Sequence, residues 1–348
     1  ANVSVRISAL HAYGALLLAF PSEDELVKTV PQAIDAARNL FANADKVSDE
    51  ELDSVACSIF EIFEDVIELW TRRMRDVFPA MLRFAFEVAL HRRGDAGGGG
   101  GGDDNDDNDD DVAASREAAT EFIATCITLR PKSVKRAHMV EACVEAAFTL
   151  MCEREQDSAK SFREEQDDDV TTALMLGVRL LDAASYKLPP REVFNNAMAA
   201  VQRLAGSQSP FQRSTAYRAV AILSEGCKAE ITKQCRELVT ALSTSARTDP
   251  DQYVRASAIR AVGSVIESLE LDSIDDEVTQ QVRDMAMSAA VDALRDSSVL
   301  VRKKACPSLE AALTLYDDEE DVAPHVELIT EALSRADIAE EAVSAAAA

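Results

Sequence analysis

Two heptapeptides 47 residues apart constrain what this chain can fold into more than any other feature of it. Asp249-Pro250-Asp251-Gln252-Tyr253-Val254-Arg255 and Asp296-Ser297-Ser298-Val299-Leu300-Val301-Arg302 both read D-x4-V-R, and each opens a helical apolar pattern. Arg213, at the end of Ser209-Pro210-Phe211-Gln212-Arg213, precedes Arg255 by 42 residues and is followed by a similar pattern. Val5-Arg6 and Ser115-Arg116 open two further copies, also at helix starts. Units of this kind cannot bury their apolar faces alone and become stable by stacking on their neighbours.

Almost every other segment reads as helix too. The apolar spacing predicts helices near 3–19, 24–44, 48–70, 72–93, 112–130, 133–153, 168–187, 190–205, 209–226, 229–246, 251–269, 275–295, 298–315 and 321–335, with a weaker one from 336. No stretch sustains the period-two alternation of a half-buried strand. Helices of this length joined by short links pack as antiparallel hairpins. Two helices per unit and this repeat spacing are the HEAT signature. The expected fold is therefore all-α, a right-handed α-solenoid of about seven HEAT repeats forming one array over 1–348. Pro31, Pro79 and Pro324 fall inside or early in helices, where the first helix of a HEAT repeat often bends.

The motif has a physical reading. An Asp in the turn can cap a helix or sit near its N-terminus, where negative charge is favoured. Its carboxylate can also reach the Arg of the next unit, which assigns Asp249, Arg255, Asp296 and Arg302 to repeat stacking. In the helix after Asp249, the residues Val254, Ala258, Ala261, Val262, Val265 and Leu269 make one apolar stripe.

Charge narrows the function. Lys and Arg number 36 against 62 Asp and Glu, a net charge of −26. A body so acidic repels phosphate backbones, which argues against nucleic acid as the main partner. Eight of those excess negative charges lie in 94–111, where six glycines (97–102) precede an aspartate run, so 18 remain elsewhere. Such a segment cannot bury a core and reads as a mobile loop. An acidic link spans 153–169. No apolar run is long enough to cross a membrane, which argues against insertion. Seven scattered cysteines without C-x-x-C spacing suit a reducing compartment and mostly small hydrophobic roles. The opening on a helical pattern without Met suggests a piece of a longer chain.

From Leu188 to Ile266 the order of motifs is more specific. Leu188-Pro189-Pro190-Arg191-Glu192-Val193-Phe194 leads to Ser209–Arg213, then to Ala219-Val220-Ala221-Ile222-Leu223-Ser224-Glu225-Gly226-Cys227, and then to the D-x4-V-R unit ending in Ala261-Val262-Gly263. This block resembles the importin-beta family of nuclear transport receptors, the karyopherins, and so do Arg116–Ile123, Arg130-Pro131-Lys132 and Val5–Leu10. The resemblance implies an internal block of a receptor that carries basic cargo such as ribosomal proteins or histones. It further implies passage through the nuclear pore by contacts with FG-repeat nucleoporins, cargo release by the GTPase Ran in its GTP form, and shuttling between cytoplasm and nucleus. It also implies that the second helix of each repeat lines the concave, cargo-facing side, and that the receptor is monomeric.

On helix 48–70, Glu61, Glu64, Asp65 and Glu68 recur at i, i+3, i+4 and i+7 and share one face. Like charges so placed weaken a helix by about 0.2–0.5 kcal/mol per pair, a cost suited to a Lys- or Arg-binding site. Trp70 lies close enough in sequence to cover an aliphatic stem or face a cation. The alternative is a solvated face with Trp70 in the core. Glu117 and Glu121 form a second acidic pair. Asp103, Asp104, Asp106, Asp107, Asp109, Asp110 and Asp111 would steer basic cargo or serve only solubility. Asp167, Asp168 and Asp169 read equally well as helix N-terminal charges, and Asp317–Asp321 as another acidic loop. Arg130, Lys132, Lys135 and Arg136 form the one basic cluster, read as a surface patch.

Catalytic readings find no support. His11, His91, His138 and His325 lack metal-binding spacing, the glycine run lacks the Lys-Ser/Thr of a phosphate loop, and no nucleophile motif is present. The expectation is no enzyme, no metal and no cofactor. Two other binding classes stay open: a constitutive HEAT scaffold, and an acidic chaperone for basic proteins.

Overall fold

The computed structural model describes residues 3–20, 23–41, 49–68, 72–91, 113–153, 172–316 and 319–333. Their regular structure is helical throughout: α1 Val3–Ala19, α2 Asp24–Lys28, α3 Val30–Phe41, α4 Asp49–Glu68, α5 Phe78–Ala89, α6 Ala114–Leu129, α7 Pro131–Arg136, α8 Val140–Met151 and α9 Ala173–Lys187. They continue as α10 Pro190–Ala205, α11 Pro210–Gly226, α12 Lys228–Lys233, α13 Cys235–Thr248, α14 Gln252–Glu267, α15 Asp276–Leu294, α16 Val299–Leu313 and α17 Glu319–Leu333. The described residues divide into two compact units, one ending at Pro189 and one beginning at Pro190.

Within the first unit α1, α4, α6 and α9 pack side by side as one row, with α3 against α5 and α8 against α9 beside it. In the second, α11, α14 and α16 make the row, with α13 against α15 and each of α10, α13 and α15 paired to the row helix that follows it. Four row helices in one unit and three in the other make seven among the described residues. Five of the seven carry an Arg in their opening turns, Arg6, Arg116, Arg213, Arg255 and Arg302, while α4 and α9 do not.

The first-unit core gathers Phe60 and Phe63 from α4, Phe84 from α5 and Phe122 from α6. Phe60 stacks on Phe84 with centroids 5.6 Å apart, and Phe122 lies 5.6 Å from Phe60 and 5.7 Å from Phe63. All four rings are buried. In the second unit α14 has neighbours on three sides. Val254, Ala258, Ala261, Val262 and Val265 are fully buried, but so are Ala256, Ser257, Ile259 and Gly263, so the single expected stripe understates it. Leu269 lies beyond the helix end and is half-buried.

Several expected helices are interrupted. The segment 24–44 is α2 and α3, broken at Thr29, whose hydroxyl donates to the Leu26 carbonyl at 2.7 Å. Pro31 then sits in the first turn of α3, where its missing N–H costs nothing. In 72–93 a short 3-10 turn, Arg72–Arg75, precedes α5, which carries Pro79 in its first turn. The segment 133–153 is α7 and α8, parted at His138, which adopts φ 55°. There the Met139 N–H reaches back to the Val134 carbonyl at 3.2 Å, the closure typical of a helix that ends in a left-handed residue. The segment 229–246 parts at Gln234 into α12 and α13, with no proline. Every one of these breaks lies between row helices, on the first helix of a repeat, though only Pro31 and Pro79 mark them. Pro324 falls within α17, while Pro307 lies inside the row helix α16. The expected helix from 336 falls outside the described residues.

Candidate functional site

Two polar arrangements stand out: a ladder that fixes the repeats, and an acidic surface. The ladder is repeated three times with the same geometry. Arg213 Nη1 donates to the carbonyls of Ser207 and Gln208 at 3.1 and 3.0 Å, Arg255 Nη1 to those of Asp249 and Pro250 at 3.0 and 3.2 Å, and Arg302 Nη1 to those of Asp296 and Ser297 at 2.9 and 3.1 Å. Each Arg thus closes the turn before its own helix. The remaining guanidinium nitrogens of Arg213 and Arg255 grip the Asp of the following repeat. Arg213 meets Asp249 through two bonds of 2.8 and 2.9 Å, and Arg255 meets Asp296 at the same two distances.

The direction is therefore the reverse of the expected one, since each Asp pairs with the Arg of the preceding unit. Nor is Asp249 the helix cap. Asp251 accepts from Tyr253 and Val254 N–H at 2.9 and 3.1 Å, while Asp249 accepts from Asp251 N–H and is left free to turn toward Arg213. The pairing holds both guanidinium groups, Arg213 and Arg255, even more firmly protonated than usual. Burial alone would raise the Asp296 carboxyl, but bonds from Arg255 and the Ser298 N–H, together with the Arg255 charge, hold it below the usual range. In the first unit, buried Arg116 plays the same part with other partners. Its Nε donates to the Ala89 carbonyl at 3.0 Å and its Nη1 to Glu153 at 2.8 Å, with Nη2 on the second Glu153 oxygen.

The acidic surface arises where α4 and α6 lie side by side. Glu61, Asp65 and Glu68 are exposed and Glu64 is half-buried, as the shared face of α4 requires. Glu64 accepts from the Thr125 hydroxyl of α6 at 3.1 Å. Its carboxyl is pushed up, first by burial and, against the Thr125 bond, by the charges of Glu121, Asp65 and Glu68. Two turns away, Cys57 feels Asp53, Glu61 and Glu117; burial first and then these charges push its thiol up. The α4 tetrad and the α6 pair thus form one surface, joined by Asp53, whose carboxylate also accepts from the Ser115 N–H at 3.3 Å.

Asp53 and Cys57 continue the i, i+4 row that runs on to Glu61 and Asp65, a signal present in the sequence. Thr125 has no such signal, because its role depends on which helix lies beside α4. At the far end of α4, Arg130 donates to the Ile67 carbonyl at 2.8 Å and to that of Glu68 at 3.2 Å. The C-terminal ends of α4 and α6 are thereby tied together. Trp70, Asp103, Asp104, Asp106, Asp107, Asp109, Asp110, Asp111, Asp167, Asp168 and Asp169 lie outside the described residues.

All seven cysteines are free thiols, and burial pushes those of Cys143 and Cys227 up to about 12. Among the described residues no group of three His, Cys, Asp or Glu side chains is placed to hold a metal ion. Nor is any described helix long and apolar enough to cross a membrane.

No family model matches the chain. Importin-4 of Mus musculus is 24% identical over 265 residues, which is 72% of this chain and 22% of the relative. Importin-4 of Homo sapiens is 28% identical over 93 residues, 27% of this chain and 9% of that protein. Among solved structures, Kap121p bound to RanGTP superposes with a TM-score of 0.73 at 17% identity, covering 96% of this chain and 31% of its own. The karyopherin Kap121p bound to the SUMO protease Ulp1p gives 0.74 at 16% identity, with 97% and 31% covered. This chain thus spans about a fifth of the mouse relative's length and under a third of Kap121p's. The importin-beta resemblance read from Leu188 to Ile266 therefore extends over most of the chain, which is similar to importin-4 in sequence and has the helical-repeat fold of the karyopherin Kap121p.

Proposed function

We propose that this chain is a block of an importin-beta-type nuclear transport receptor, and that the α4–α6 surface holds a Lys- or Arg-rich segment of its cargo. The observation that carries this reading is the α4–α6 carboxylate cluster around Glu64, whose ionisation is disfavoured first by burial and then by the charges of Glu121, Asp65 and Glu68. A surface that pays such a cost when empty is relieved when a cation arrives. Ribosomal proteins and histones are the basic cargo classes that fit this chemistry. Trp70, two residues beyond Glu68, would cover the stem of a bound Lys, and the aspartates of 103–111 and 167–169 would raise the rate of encounter.

Solved Kap121p structures hold RanGTP, Pho4p and Nup53p. By that similarity the intact receptor would release cargo on binding Ran-GTP, meet FG-repeat nucleoporins and shuttle between cytoplasm and nucleus. Stacked repeats touch only their neighbours, so small adjustments at each interface add up along the array. Ran-GTP and cargo need only prefer different curvatures to oppose each other.

Fluorescence anisotropy with a labelled Lys-rich peptide tests the cargo site. Binding should weaken with salt, and Glu61→Gln, Glu64→Gln, Asp65→Asn and Glu68→Gln combined should reduce affinity about tenfold or more. Equal binding by both forms would place the site elsewhere. Cargo held by the intact receptor regardless of Ran-GTP would favour the scaffold instead.

A further inference from the structure

The row helices α14 and α16 are not equally covered. Among the described residues α14 lies between α11 and α16, whereas α16 has α14 as its row neighbour on one side and no row helix on the other. The side toward α14 is occupied, with the Ser308 hydroxyl donating to the Ile259 carbonyl at 2.7 Å. On the other side an open groove of about 530 Å³ is lined by Cys306, Leu309, Glu310, Leu313 and Thr314. These stand at i, i+3, i+4, i+7 and i+8 and so share one face. Leu309 is buried, and Cys306 and Leu313 are half-buried. Stacked repeats bury such a strip against the next unit.

The sequence beyond α17 supplies a fitting helix. The first helices α10, α13 and α15 each pair with the row helix that follows, so α17 calls for one too, and the fifteen residues 334–348 come after it. Within them Ala339, Ala342, Val343 and Ala346 recur at i, i+3, i+4 and i+7. Small side chains suit contacts between rows here, as where Ser214 of α11 meets Ser257 of α14 at 2.8 Å. The lengths agree as well. From Lys303 to Thr314 the groove face runs about 16 Å, and a helix over 337–348 runs about 18 Å.

The Arg ladder gives the register. Arg213 grips an Asp 36 residues further on, and Arg255 one 41 residues further on. Counted from Arg302, the first acid after α17 is Asp337, 35 residues on. Ala332-Leu333-Ser334-Arg335-Ala336-Asp337 leads into it much as Ala293-Leu294-Arg295-Asp296 leads into the Asp that Arg255 holds. Arg302 closes its own turn through Nη1, is buried, and has a further interaction besides those two bonds.

We infer that the groove of α16 is the seat of residues 337–348, which lie along it as a further row helix with Asp337 bound to Arg302. In that register Glu340 and Glu341 fall in the first turn of the new helix, where negative charge is favoured. They also come alongside the opening turns of α16, which carry Lys303 and Lys304. The apolar stripe from Ala339 to Ala346 then faces Cys306, Leu309 and Leu313. The groove is thus a surface for one helix of small side chains rather than a pocket for a small molecule. This seat stands without the cargo reading, because no residue of the α4–α6 surface enters it.

Cys306 reports on the seat, because its free thiol lines the groove. The full chain is treated with N-ethylmaleimide, and the reaction at Cys306 is followed by mass spectrometry of its peptide. Half-buried Cys57 in the first unit serves as the internal reference. Asp337→Lys removes the rung, and Val343→Asp, made separately, spoils the apolar stripe. Each should raise the Cys306 rate about tenfold or more, since either loss favours local opening of the segment. The rate at Cys57 should not change, which shows that the rest of the chain is folded. A Cys306 that reacts as fast in the wild type as in both variants would overturn the inference. So would protection that disappears on dilution, because a second copy of the chain would then be the occupant.

Discussion

Glu64 lies half-buried between the hydroxyl of Thr125, which donates to it, and the carboxylates of Glu121, Asp65 and Glu68, which repel its charge. A carboxyl raised in this way supports the fold only below its unfolded pKa, and withdraws that support as the pH rises through its folded value. Near neutral pH it is a liability. Glu64→Gln keeps an oxygen for Thr125 and removes the charge, so it should stabilise the free protein by roughly 0.2–0.5 kcal/mol at pH 7, an amount kept small by solvent screening. The gain should vanish near pH 4, where the native carboxyl is also neutral. Urea melts at the two pH values measure this, and a variant less stable at pH 7 would contradict the account. The same substitution should weaken Lys-rich peptide binding, so stability and affinity would move in opposite directions.

At the scale of the element, the D-x4-V-R turn is the part of the fold most legible in the sequence. It demands particular residue types: an Arg long enough to close its own turn and still reach the next repeat, and an Asp short enough to sit in that turn. Both side chains of the Arg255–Asp296 pair are only 13% exposed. Arg255→Ala would leave Asp296 with its backbone partner, the Ser298 N–H, but no guanidinium, and would open the carbonyls of Asp249 and Pro250; loss of one partner of such a half-buried pair should cost about 1–3 kcal/mol. Because the Asp296 carboxyl lies below its usual range, this stability is present above its unfolded pKa and is lost as the pH falls through the folded one. The wild-type advantage over Arg255→Ala in thermal melts should therefore shrink in acid.

Close approach between row helices was less legible. A Cβ added at Gly263 would meet Ser308 Oγ at 2.8 Å and its Cα at 3.0 Å, so α14 and α16 touch backbone to side chain there. Gly263→Ala should cost about 1–3 kcal/mol in chemical denaturation. Adding Ser308→Gly should recover part of that cost, and a lone Gly263→Ala as stable as the wild type would show that the helices can part. The breaks at His138 and Gln234 were hidden from sequence reasoning for a plain reason. Neither residue is Pro or Gly, so no local breaker announces the bend.

Across the whole molecule, the row helices and their order followed from spacing, whereas the joining of two acidic groups into one surface did not. Glu61, Glu64, Asp65 and Glu68 announce themselves by recurring on one helix. Their meeting with Glu117 and Glu121 depends on α4 and α6 being neighbours, although 45 residues separate the two helices in sequence. A helix periodicity says which face is polar, never whose polar face lies alongside. That long separation has its own consequence. Arg116 bonds to the Ala89 carbonyl, stitching the start of α6 to the end of α5 from within the core. This stitch holds the end of α5 against the start of α6 by a contact that does not depend on the length of the chain joining them. Closing a longer span costs only about 0.6 kcal/mol per doubling of its length. The junction between α5 and α6 is thus a splice point at which evolution, or an engineer, can lengthen, shorten or rewrite the chain without renegotiating the fold.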